Sequence, residues 1–128
     1  MSHKYLLDSS AWIEYFAGTA FGKEIKNIVE GEELVTCVLS IAELSDKFNR
    51  DKERFEAFLA FIKKMSFIAP LSVSSCTASG SLKALRRTTK KNFGLVDALI
   101  YLTAQEHRCL VLTKDDDFNG MTDVIVLS

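Results

Sequence analysis

Apolar residues along the chain fall into two kinds of run. Short, mostly continuous stretches at Tyr5-Leu6-Leu7, Leu34-Val35-Thr36-Cys37-Val38, Cys109-Leu110-Val111-Leu112 and Val124-Ile125-Val126-Leu127 read as buried strands. Phe67-Ile68-Ala69, just before Pro70, reads as a further short strand. Between them the apolar period lengthens to that of a helix. Ala11 to Phe16 predicts a helix closed by Gly18, and Gly22 to Glu30 a second, with Ile25, Ile28 and Val29 on one face and Gly31 as its stop. Ser40, with Glu43 three residues on, reads as a capping box opening a third helix that runs to about Asn49. Phe55, Phe58, Leu59, Ile62 and Met65 predict an amphipathic helix from Asp51 to about Met65. Leu95 to His107 predicts an apolar helix. From Val73 to Thr89 the pattern is weaker and contains Gly80, which allows one helix or two.

Short apolar strands alternating with helices predict an α/β fold built on βαβ units, with a mainly parallel sheet of four or five strands covered on both faces. In open sheets of this kind, ligands bind beyond the carboxyl ends of the strands. The polar residues that follow each strand are therefore the ones to weigh for function.

Asp8 directly follows the first strand, and Asp115 comes shortly after the strand ending at Leu112. Glu43 sits in the first turn expected after the strand Leu34 to Val38. Asp97 lies near the start of an otherwise apolar helix, where a charge is costly unless paired or bound to metal. Each has an ordinary alternative: Asp8 as a helix cap, Glu43 as partner of Ser40, Asp97 favouring a helix dipole, Asp115 in a solvated turn. Those alternatives do not explain four carboxylates from four distant segments projected to one rim, where they repel each other unless a cation joins them. Their oxygens are hard ligands suited to Mg2+ or Mn2+, while His3 and His107 have no ligand spacing. Mg2+ is commonly bound together with substrate phosphates, so the rim points to phosphodiester chemistry.

At these residues the sequence resembles the PIN-domain ribonucleases, and within them the VapC-type toxins of toxin–antitoxin pairs. The motifs that carry the resemblance are Leu6-Leu7-Asp8-Ser9-Ser10-Ala11-Trp12-Ile13, Ser40-Ile41-Ala42-Glu43-Leu44, Val96-Asp97-Ala98-Leu99-Ile100 and Leu112-Thr113-Lys114-Asp115-Asp116-Asp117-Phe118. Each is short, and their order and spacing make the match specific. The resemblance implies a Rossmann-like α/β/α sandwich and a Mg2+- or Mn2+-dependent endoribonuclease. It implies that Asp8, Glu43, Asp97 and Asp115 form the catalytic, metal-holding quartet, that Ser10 and Thr113 are supporting hydroxyls, and that Asp117 is a further supporting acid. It also implies a homodimer and an antitoxin that seats a segment in an apolar groove.

The chain has 128 residues, of which 48% are hydrophobic and 26% charged, which suits one domain over residues 1–128 with a core of its own. Its formal net charge of −1 excludes a bulk cationic nucleic-acid binder. Charge is nevertheless segregated: between Leu71 and Val96 no acid occurs, while Lys83, Arg86, Arg87, Lys90 and Lys91 do. This stretch is a candidate grip on RNA phosphates beside Asp97, the alternative being a solvated helix face. Cys37, Cys76 and Cys109 are too dispersed for a disulfide framework or metal site and read as packing residues. No run suits a membrane span, and Asp8 interrupts the apolar start too early for a signal peptide, so a cytoplasmic protein is expected. The Phe-rich amphipathic helix carries Phe61 besides its core stripe. With Phe48, Trp12, Tyr15 and Phe16 it provides either ordinary core or the apolar groove.

Two rival readings differ in class. A receiver-like signalling module shares the size, the rim carboxylates and a late Lys, here Lys114, but needs an acceptor Asp after a central strand. The strands in mid-sequence end at Val38 and Ala69, with no Asp directly following. A non-catalytic PIN module used for binding is the second rival, and the complete quartet disfavours it.

Overall fold

The computed structural model describes residues 3–127, so Met1, Ser2 and Ser128 of the expected domain lie outside the described residues. Five parallel strands form one sheet: β1 (Lys4–Leu7), β2 (Glu33–Cys37), β3 (Ser66–Ala69), β4 (Leu110–Thr113) and β5 (Val124–Val126), in the spatial order β3-β2-β1-β4-β5. Register places Leu6 beside Val35 on one side and Val111 on the other. Because successive strand side chains point to opposite faces, Leu6, Val35 and Val111 pack on one face while Leu7, Leu34 and Leu112 pack on the other. Both sets are buried, which is why the strands read as continuous apolar runs rather than as alternations.

Helices α1 (Ser9–Ala17), α2 (Ala20–Gly31), α3 (Val38–Arg50) and α4 (Glu56–Met65) contribute Trp12, Ile25, Val29, Leu44, Phe48 and Ile62 to the core on the Leu7 face. Helix α6 (Leu95–Glu106) contributes Ile100 and Ala104 to the Leu6 face. Helix α5 (Val73–Arg86) packs beside α6. The result is the expected α/β/α sandwich. Among the described residues no helix is long and apolar enough to cross a membrane.

Helix α1 stops at Gly18, whose φ of 65° lets its N–H reach back to the last carbonyls of the helix. Close approach, by contrast, governs Gly22. A Cβ there would lie 2.0 Å from the Glu14 carbonyl oxygen and 2.9 Å from the Tyr15 Cα, so α2 crosses α1 with no room for a methyl. Those atoms are backbone and cannot yield easily. Gly22→Ala is therefore expected to lose about 3 kcal/mol of stability in denaturant unfolding; a loss under about 0.5 kcal/mol would mean the helices move apart freely.

Several details differ from the sequence reading. β2 ends at Cys37, and Val38 already begins α3, whose N-terminus has no side-chain cap. Ser40 is thus a buried helical residue rather than a cap, and Glu43 sits in the second turn rather than the first. Helix α4 begins at Glu56 instead of Asp51, because the chain turns at Asp51-Lys52 and stays irregular to Phe55. Helix α5 is a single piece. Ser72 caps it by accepting the Ser75 N–H at 3.0 Å, and Gly80 faces open space where its missing side chain costs no packing. Cys37 and Cys109 are buried, as packing residues should be, whereas Cys76 is exposed. The central strand is β1, so an Asp does follow the middle of the sheet. The strand order, however, is not the 2-1-3-4-5 of the flavodoxin-like class to which receivers belong.

Candidate functional site

At the carboxyl end of the central strand, Asp8 is buried and performs two tasks. Its Oδ1 accepts the Ala11 N–H at 3.0 Å, capping α1, and the Ser10 hydroxyl at 2.6 Å. Its Oδ2 accepts from the Thr113 hydroxyl at the end of the adjacent β4. The same Thr113 oxygen accepts the Asp115 N–H at 3.0 Å, and the Ser10 oxygen accepts the Lys114 N–H at 2.9 Å. The hydroxyls of Ser10 and Thr113 thereby stitch β1 to the segment after β4 and fix Asp8 relative to Asp115.

The other acids reach the same rim from different elements. Asp97 stands in the first turn of α6 and accepts the Gly94 N–H through Oδ2 at 2.8 Å. Asp115 caps the 3-10 turn Asp116–Phe118 by accepting the Asp117 N–H through Oδ1 at 2.9 Å. Each capping bond occupies one oxygen; the second oxygen of Asp97 and of Asp115 has no protein donor among the described residues. Carboxylate oxygens of Asp97, Asp115 and Asp117 lie within 4.8 Å of one another, all three residues half-buried. Glu43 completes the rim from α3, its Oε1 accepting the Ser9 hydroxyl at 3.2 Å. Asp8, Asp97 and Asp115 each use a carboxylate oxygen to order local backbone, and oxygens of Asp97 and Asp115 also lie beside that of Asp117.

Electrostatics follow from this crowding. Burial, aided by the charge of Asp115, pushes the Asp8 carboxyl above its ordinary range, against the pull of the Ser10, Thr113 and Ala11 donors. Burial also raises Glu43, with the charges of Asp8, Asp97 and Asp115 acting in the same direction. Asp97 is raised by burial and by Asp115, Asp117 and Asp8, with the Gly94 N–H opposing. A carboxyl whose folded value exceeds its unfolded one holds its proton longer in the native state. Its charged form costs stability, and that cost is complete above the raised value and relieved as pH falls toward the unfolded one. Ion-free Asp97→Asn is accordingly expected to melt a few degrees above the wild type at pH 8, the difference closing toward about pH 4. A variant that melts below the wild type at pH 8 would contradict this electrostatic account.

The set fits a hard divalent cation. It offers only oxygen donors and several of them lack protein partners, while its negative charge has no cationic counterpart in the four ion pairs among the described residues. Lys114, next to Asp115, turns away: its Nζ is 3.1 Å from Glu14 and 4.7 Å from the centre of the Phe21 ring.

Among the cationic candidates, Lys83 and Arg86 lie in the last turn of α5, and Arg87, Lys90 and Lys91 follow it. Arg87 and Lys91 are exposed, Lys83 and Lys90 half-exposed. Arg86 is not a free surface cation. Its Nη2 donates to the carbonyls of Asp117 at 2.7 Å and Asn119 at 3.1 Å. The Arg87 Nε donates to the Phe93 carbonyl at 2.7 Å. Sequence reasoning missed Ser9 as a ligand of Glu43 and the structural bonds of Arg86, and ranked Asp117 as a supporting acid where the structure sets it in the tightest cluster. The run Asp115-Asp116-Asp117 was the available signal, since a tight turn brings its first and third residues to one side.

A five-stranded parallel α/β sandwich that gathers carboxylates from three or more segments where its strands end defines a recognisable class of rim-site protein. The PIN domain profile matches residues 5–123, and the chain belongs to the PIN-domain family. In three dimensions the protein is similar to a chain of a toxin–antitoxin complex from Klebsiella pneumoniae, with 24% identity over 95% of this chain and 96% of that one, and a TM-score of 0.73. It is similar to VapC20 of Mycobacterium tuberculosis, described as a Sarcin-Ricin loop cleaving toxin (17% identity, 97% and 99% coverage, TM-score 0.72). VapBC2 from Rickettsia felis, bound to a DNA fragment from its promoter, is a further neighbour (16% identity, 96% of both chains, TM-score 0.71). At such identities the likeness is one of fold. Among curated proteins none matches the chain.

Proposed function

We propose that the protein is a Mg2+- or Mn2+-dependent endoribonuclease that hydrolyses RNA phosphodiester bonds as the toxin of a toxin–antitoxin pair. The observation that carries this reading is the cluster of Asp97, Asp115 and Asp117 oxygens within 4.8 Å of one another, beside buried Asp8, in a PIN-domain chain. Asp8, Asp97, Asp115 and Asp117 would hold the ion, with Glu43 at the edge of the rim. When bound, the cation supplies charge neutralisation on the scissile phosphate and acidification of an attacking water. Asp8 is held rigid by Ser10 and Thr113, so its orientation is set before substrate arrives. The carboxyls of Glu43 and Asp97 are both raised above their ordinary range by burial and by the neighbouring carboxylates, which favours proton uptake there over an isolated carboxylate.

Lys83, Arg87, Lys90 and Lys91 form the proposed path for RNA phosphates, brought beside the rim because Arg86 ties the end of α5 to the Asp117 segment. Lys90→Glu with Lys91→Glu is expected to weaken RNA binding and to flatten its dependence on salt; unchanged binding in both respects would remove this surface. An antitoxin segment would seat on the apolar surface of Tyr15, Phe16, Phe58 and Phe61, which is open on the outer side of α1 and α4. The Klebsiella complex supports an antitoxin partner, and VapC20 supports RNA as substrate. A cytoplasmic homodimer completes the reading.

The test is incubation of the purified protein, free of antitoxin, with total cellular RNA in Mg2+ or Mn2+ and in chelator. Cleavage that appears with the ion and disappears with the chelator supports the nuclease. RNA left intact under all conditions would favour a binding module instead.

A further inference from the structure

Arg86 touches both segments that carry the acidic cluster. Its Nη2 holds the Asp117 and Asn119 carbonyls, at either end of the last turn before the chain leaves the rim. Its guanidinium carbon lies 5.5 Å from the centre of the Phe93 ring. Phe93 is fully buried, meets Phe118 edge-on at 5.6 Å, and directly precedes Gly94, whose N–H is held by Asp97. Phe118 closes the 3-10 turn that presents Asp117. The guanidinium and the two rings thus form a small cluster wedged between the start of α6 and the Asp115–Asn119 segment, which has little backbone bonding beyond its own tight turns. The Arg86 Nε is buried without a partner, so the side chain is held by the two carbonyls and the ring rather than by its own optimal bonding.

Three carboxylates within 4.8 Å repel each other, and the short turn bearing two of them needs an outside tie to stay near the third. We propose that Arg86 is a positioning residue that sets the separation of Asp97 from Asp115 and Asp117 and thereby the affinity of the rim for a divalent ion. The inference rests on the nuclease reading of the same rim. Carbonyl groups that turn toward a guanidinium fix the backbone from Asp117 to Asn119, and a planar group is needed to lie against Phe93 while donating along its edge.

Mn2+ titration followed by the loss of the free-ion electron paramagnetic resonance signal tests this without recourse to activity. Wild type, Arg86→Met, Arg86→Lys and Asp97→Asn are compared, each with its melting temperature. Arg86→Met is expected to bind Mn2+ about 10-fold more weakly or worse, as loss of a group that orients metal ligands commonly does. Arg86→Lys, which keeps the charge but not the plane, is expected to fall between Met and wild type. Wild-type affinity in either variant that folds, even with a lowered melting temperature, would make Arg86 merely structural and overturn the inference alone. A wild type that binds no Mn2+ would overturn both the inference and the metal reading beneath it.

Discussion

Asp97→Asn is expected to lower the rate of RNA cleavage at saturating substrate about 1,000-fold while the protein stays folded. Asparagine keeps an oxygen that can accept the Gly94 N–H, so the start of α6 is preserved. What is lost is a charge and a metal-grade oxygen at the centre of the cluster shared with Asp115 and Asp117. Metal-ion stabilisation of a phosphoryl transition state is worth several kcal/mol, and each 1.36 kcal/mol is tenfold in rate, which sets the expected size. The same substitution relieves repulsion in the ion-free protein, so activity falls while ion-free stability rises. Rates measured beside melting curves check both halves; a loss of less than about tenfold would remove Asp97 from the centre of the chemistry.

Trp12→Ala should produce the largest loss of stability, about 3–5 kcal/mol, or roughly 10–20 °C in melting temperature. Trp12 is fully buried in the α1 face of the core, stacks on Phe16 at 5.5 Å and meets Tyr15 and Phe61 edge-on. Its Nε1 donates to the Thr36 hydroxyl at 3.1 Å, linking α1 to β2. Thr36 retains Ser66 as a partner, so the cost is chiefly the cavity rather than a stranded polar group. Trp12→Phe should lose much less. Calorimetry of the two variants decides; equal melting temperatures for wild type and Trp12→Ala would show that α1 is not anchored here. Trp12, raised as groove or core, is core. The groove candidates narrow to residues on the outer side, Tyr15, Phe16, Phe58 and Phe61.

What could be read beforehand depended on whether a residue's role is local. Strands buried on both faces announce themselves as apolar runs, and Asp8 and Asp97 stand out because each interrupts or closes such a run. The place of Asp8 follows from parallel topology, since every β-to-α junction of a parallel sheet emerges on the same side, whereas Asp97 stands at the start of α6, which follows α5 rather than a strand. The start of α3 is not legible in the sequence, because Ser40 and Glu43 have capping-box spacing whereas the helix begins two residues before Ser40 and buries that hydroxyl against the core. In the sequence Arg86 is indistinguishable from its cationic neighbours as a phosphate contact, because position in a cationic run says nothing of what the side chain bonds. Only the tertiary fold brings the Asp117 and Asn119 carbonyls, 31 and 33 residues away, to its guanidinium. Asp117 rose in rank for a like reason: its place beside Asp97 depends on the turn geometry after β4.

The central claim, that this rim hydrolyses RNA through an ion-activated water, is tested most directly on a defined RNA oligonucleotide carrying a single 2′-deoxy sugar at the cleaved position. Attack by water does not need the neighbouring 2′-hydroxyl. The account predicts that the substituted strand is still cut in Mg2+ or Mn2+, that the products carry no 2′,3′-cyclic phosphate, and that Asp97→Asn and Asp115→Asn abolish the cut. Cleavage that stops with the 2′-deoxy sugar, yields cyclic phosphate and persists in chelator would contradict it.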